Sequence, residues 1–91
     1  MASDFSKLAA ALKKLRLARG LSQTEVAKKL GYSSPQFISN WERGLASPPV
    51  KVLKRLAALY ETDSNQLFNM VVKAAESRMR AEFEKSKGRP R

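Results

Sequence analysis

The chain has 91 residues, 43% of them hydrophobic, which is enough for one small domain with a modest core and an appended element. It contains no Cys and no His, which removes disulfides, thiolate metal sites, the commonest general base and the commonest zinc ligand. Eighteen Lys and Arg against eight acids give a net charge of +10, and so large an excess points to a polyanionic partner.

No apolar run approaches a membrane span, and the N-terminus lacks the hydrophobic stretch of a signal peptide, so a soluble, cytoplasmic protein is expected. The charge is unevenly placed. Residues 1–31 carry seven basic residues against two acids, residues 73–91 seven against three, and residues 32–72 only four against three. Basic flanks around a nearly neutral middle suit phosphate contacts placed around a reading element.

Asp4 or Ser3 can cap a first helix, in which Phe5, Leu8, Leu12 and Leu15 recur every three or four residues. Its other face carries Lys7, Lys13, Lys14 and Arg19, while Arg16, beside Leu15, can reach inward. Gly20 ends it, with Arg19 in the last turn. Ser22 with Glu25 three residues on forms a capping box for a second helix over about residues 23–30. That helix buries Val26, Ala27 and Leu30, and the small Ala27 suits the close crossing of another helix.

Gly31 breaks the second helix, and a tight turn leads into the third. Ser34 can cap it, Pro35 suits the first helical position, and Gly44 closes it. Ile38 and Trp41 share one face, whereas Ser34, Gln36, Phe37, Asn40 and Arg43 lie elsewhere around the axis. A helix of under three turns cannot stand alone in water, so its neighbours must hold it. Two short helices joined by a turn containing Gly match the helix-turn-helix description, with the third helix offered to a DNA groove.

Ser47-Pro48-Pro49 is a further start signal, with Ser47 as cap, for a fourth helix from about Pro49 to Tyr60, with Leu53, Leu56, Ala57 and Tyr60 on one side and Lys51, Lys54 and Arg55 in solvent. Asp63 or Ser64 caps a fifth, which meets no Gly or Pro before Lys87 and can run to about residue 85. Leu67 and Phe68 are expected to close the core. Beyond them Val71, Val72, Ala75, Met79 and Phe83 continue an apolar stripe that calls for a second copy of the chain. The organisation expected is therefore all-α: a five-helix domain over 1–69, a dimerising helical extension over 70–86, and a basic disordered tail over 87–91. The Gly-Arg-Pro in that tail resembles an AT-hook core, the alternative being a basic tail with non-specific affinity.

From Leu15 to Phe68 the chain resembles the Cro/CI-type (XRE) helix-turn-helix family. The matching residues are Arg16, Gly20-Leu-Ser-Gln-Thr-Glu-Val-Ala27, Leu30-Gly31, Ile38-Ser-Asn-Trp-Glu-Arg-Gly44, Ser47-Pro48 and Leu53-Lys-Arg-Leu-Ala57. The resemblance implies a lambda-repressor-like domain whose second and third helices bind double-stranded DNA. It places a phosphate on Gln23; Ser22, Ser34, Ser39 and Arg43 are expected as further backbone contacts, the alternative for Ser34 being a cap alone. It places base reading on Gln36, Phe37 and Asn40, and an ion pair between Arg16 and Glu42. Phe37 departs from the small polar residue usual there, and can touch a thymine methyl or turn back and pack. One extra residue between Gly31 and Ile38 must be absorbed by the turn or the first helical residue.

The function expected is that of a sequence-specific transcriptional regulator, acting as a repressor on a pseudo-palindromic operator as a homodimer, with no cofactor and no metal. The alternative is an antitoxin-like module whose last helix binds a protein partner. A nucleoid-type architectural binder is a third option. An enzyme is not expected.

Overall fold

Helix ends follow the glycine and capping signals closely in the structure, a computed structural model that describes residues 4–86. The elements are α1 (Asp4–Ala18), α2 (Gln23–Leu30), α3 (Gln36–Glu42), a 3-10 turn (Val50–Val52), α4 (Leu53–Tyr60) and α5 (Ser64–Ser86), with no strand among the described residues. The expectations for Ser3 and for the Gly-Arg-Pro tail lie outside those residues.

The start of α2 is a complete capping box. Glu25 N–H donates to Ser22 Oγ at 3.0 Å, and Ser22 N–H donates to Glu25 Oε1 at 2.8 Å. That second bond, from the Ser22 backbone, holds the Glu25 carboxyl below its ordinary value. The folded chain therefore binds fewer protons here than the unfolded chain. Its contribution is fully present above the ordinary carboxylate range and is lost as pH falls through the lowered value. Glu25→Gln is expected to flatten this part of the acid limb when thermal stability is followed against pH.

Gly31 ends α2 in the left-handed region at φ 87°, where a side chain would be strained. α5 opens on Asp63, whose Oδ1 accepts from Asn65 N–H at 2.7 Å and from Gln66 N–H at 3.3 Å.

The helices converge on Leu8 and Leu12 of α1, Val26 of α2, Ile38 of α3, Leu56 of α4 and Leu67 of α5, all fully buried. Each is worth roughly 1.5–3 kcal/mol in transfer free energy, and every helix contributes at least one. Trp41, Ala27, Leu30, Leu53, Ala57 and Tyr60 are buried with them, as their spacing implies.

Several expectations are corrected. Ser47 does not cap α4: the residue before a proline is driven to extended backbone, and the chain passes through extended Pro49 (ψ 146°) into the 3-10 turn. Pro35 stands just before α3 rather than as its first residue, so the connection 31–35 takes up the extra residue. Arg55 is not simply solvated, because its guanidinium donates to the Leu30 carbonyl at 2.6 Å and satisfies the last turn of α2.

The fifth helix is rotated from the register expected of it. Its docking stripe is Leu67, Val71 and Ala74, all buried, while Phe68 remains 43% exposed. Val71 thus belongs to the core and not to a dimerisation face. Leu67, Val71 and Ala74 recur at four and three residues, as Phe68, Val72 and Ala75 do, so the choice falls to the packing of α5 against α1 and α4, which takes the first stripe into the core and leaves Phe68 on the next face around.

Candidate nucleic-acid interface

A seven-residue helix needs anchoring, and α3 is fastened from three sides. Ile38 and Trp41 enter the core. Leu45 N–H donates to the Asn40 carbonyl at 2.9 Å as the chain turns through Gly44 at φ 76°. The third fastening is ionic. Arg16 Nε donates to Glu42 Oε2 at 2.7 Å and Arg16 Nη2 to Glu42 Oε1 at 2.9 Å, a two-pronged pair that ties α1 to α3.

The Arg16 and Glu42 side chains are only 9% and 3% exposed. Arg16 Nη1 also donates to the Leu21 carbonyl at 2.7 Å, so the guanidinium grips the turn before α2 as well. Its hydrogen bonds to Glu42 raise the pKa of Arg16, and burial raises that of the nearby Tyr60. Neither titrates near neutrality, and no buried side-chain polar atom among the described residues lacks a partner.

Gln23 joins this network. Its Nε2 donates to Glu42 Oε1 at 3.0 Å, so the first residue of α2 is linked to the last of α3. The helix-turn-helix pair is therefore held at both ends of its crossing. A side-chain amide has two hydrogens, and one remains for an outward acceptor.

The outward face of α3 carries Gln36, Phe37 and Asn40. Gln36 Nε2 donates to Asn40 Oδ1 at 2.9 Å, as side chains four apart on a helix can. That bond sets the orientation of the Asn40 amide, turning its oxygen toward Gln36 and leaving its NH₂ to solvent. Phe37 packs back in part. It stacks on Tyr32, with centroids 4.8 Å apart and planes at 29°, yet keeps 49% of its surface exposed. Tyr32 in turn meets Trp41 edge-on at 5.8 Å, so the exposed ring is backed by an aromatic series that ends in the core.

The serines are partly committed. Ser22 Oγ is engaged in the capping box, and Ser34 Oγ accepts from Gln36 N–H at 3.3 Å. Ser39 is half-buried, while Arg43 is exposed at the end of α3. Sequence reasoning missed Tyr32, the Gln36–Asn40 bond and the link from Gln23 to Glu42. Only Tyr32 left a signal, an aromatic five residues before Phe37 in a polar turn.

The fold and this face define a helix-turn-helix DNA-binding protein. The helix-turn-helix family (HTH_3) matches residues 12–67, more than half the chain, and the chain belongs to it. The sequence is also similar to the ImmF control region 10 kDa protein of Bacillus phage phi105, 42% identical over 64 residues that cover 70% of each chain. The protein is a DNA-binding transcriptional regulator of the Cro/CI type.

Proposed function

We propose that the protein is a sequence-specific repressor that binds a pseudo-palindromic operator as a homodimer, with α3 of each copy in the major groove. The observation that carries this reading is the outward amide pair on α3. Asn40 Oδ1 accepts from Gln36 and has a second lone pair for adenine N6, while its NH₂ faces adenine N7. Phe37, half exposed beside them, suits contact with a thymine methyl. Gln23 and Arg43 lie where the phosphate backbone passes on either side of a helix in the groove, with Ser22, Ser34 and Ser39 around them. The name of the phage relative, a control-region protein, accords with a regulatory role.

No helix among the described residues is long and apolar enough to cross a membrane. The homodimer is supported by Val72, Met79 and Phe83, which are 44%, 71% and 67% exposed along α5 with Ala75 between them. In this reading α5 belongs to the domain core through Leu67, Val71 and Ala74 and also carries the pairing face, with the basic residues 87–91 following it.

Selection from random oligonucleotides tests the proposal. The expected result is an inverted repeat with adenines in each half-site and half-site centres roughly 34 Å apart. A specificity ratio near unity against bulk DNA would overturn it and favour an architectural binder. Arg43→Gln is expected to weaken all sequences alike and to reduce the slope of log K against log salt by about 0.9. A change in the preferred sequence instead would mark Arg43 as a base reader.

A further inference from the structure

The exposed side of α5 has an order of side-chain sizes that reads nearly the same from either end. Phe68, Val72, Ala75, Met79 and Phe83 run large, medium, small, medium, large. At 100° per residue they fall within about 80° of arc, and at 1.5 Å per residue they span about 22 Å. Four of the five are strongly exposed apolar side chains, and the fifth, Ala75, is also exposed. Among the described residues, the N-terminus of α1 meets α5 at Ser77, whose Oγ donates to Asp4 Oδ2 at 2.8 Å, and at Arg78, which lies 4.0 Å over the Phe5 ring. From Met79 onward the helix runs past the domain, and every residue to Ser86 is exposed.

We propose that two copies pair through this side of α5 in antiparallel orientation, with Ala75 of both at the two-fold axis. This rests on the homodimer reading above and adds the orientation and contacts of the pair. Antiparallel pairing sets Phe68 beside the partner's Phe83 and Val72 beside the partner's Met79. The small Ala75 lets the two helices approach closely at the centre.

The ends of the stripe favour this arrangement over the parallel one. Phe68 borders a groove between α4 and α5, lined also by Val50, Leu53, Lys54, Ser64 and Asn65. Val50 is 64% exposed, so the groove is apolar with a lysine at its rim. Antiparallel pairing brings the partner's Phe83 to this groove and the partner's Glu82 toward Lys54. Parallel pairing brings two domain bodies together instead, with Lys54 facing the same lysine of the partner. Opposite charges meet in the first case and like charges in the second.

The absence of Cys from the chain makes the test direct. Val72→Cys and Met79→Cys are prepared separately, one with a mass tag, and mixed in a glutathione redox buffer. The expected result is a mixed disulfide between the two variants in excess over both homotypic species. Dominant homotypic disulfides in a chain that is dimeric by ultracentrifugation overturn the antiparallel orientation and leave the homodimer reading standing. A dimer that forms neither kind of disulfide places the interface elsewhere and also overturns the pairing. A monomer at concentrations that saturate the operator overturns both. In the uncrosslinked chain, Glu82→Lys is expected to weaken the dimer about tenfold, and Lys54→Glu in the same chain to restore it. Failure of the second change to restore affinity counts against the contact between Glu82 and Lys54.

Discussion

Glu42→Ala is expected to cost about 3–5 kcal/mol of folding free energy, measured by urea denaturation. Deleting the carboxylate leaves the Arg16 guanidinium, 9% exposed, with only the Leu21 carbonyl, and it removes the acceptor of Gln23. A small domain holds only about 5–15 kcal/mol in all, so this loss takes the variant close to the threshold of folding. The loss reflects a stranded charge and not the net worth of the pair. Replacing both residues, Arg16→Met with Glu42→Leu, is therefore expected to recover most of it. The exposed pair between Arg19 and Glu61 is the control, since breaking it is expected to cost no more than about 1 kcal/mol. A Glu42→Ala variant no less stable than that control would remove the buried network from the account of how α3 is held.

Asn40→Ala is expected to lower affinity for the selected operator by about 1–3 kcal/mol, roughly 5- to 150-fold, while leaving non-specific binding nearly unchanged. Removing Gln36 is expected to act in part through Asn40. Gln36→Ala frees the Asn40 amide to rotate, so the preference for adenine relaxes at a position that Gln36 need not touch. Asn40→Asp supplies acceptors only and is expected to shift the preferred base toward cytosine, whose N4 amino group donates in the major groove. Competition binding against singly substituted operators measures all three. An unchanged base preference in Asn40→Ala would remove Asn40 from the reading face.

The parts of the fold legible in the sequence were those set by local chemistry. Ser22 and Glu25, Gly31, Gly44 and Asp63 act within a few residues of themselves, so their helix ends could be read one at a time. The pair Arg16 and Glu42 came from the family resemblance, because nothing local joins residues 26 apart. The rotation of α5 was not legible. Apolar residues at both Leu67 and Phe68, and again at both Val71 and Val72, offer two adjacent stripes of similar hydrophobicity. Only the packing of α5 against α1 and α4 decides that Leu67 and Val71 go inward. The same limit applies to the reading face. Periodicity placed Gln36, Phe37 and Asn40 outside, but the Gln36–Asn40 bond and the Tyr32 stack depend on rotamers and on the path of the 31–35 connection.

The position of Trp41 has an optical consequence. It is the single tryptophan of the chain, it lies in α3, and it is 3% exposed with the Tyr32 ring against it. Its fluorescence therefore reports one event, the docking of α3 onto the rest of the domain. Emission shifted to longer wavelength while the helical circular dichroism persists would mark α3 leaving the body before the other helices melt. The protein thus carries its own gauge of whether α3 is in place, with no label attached.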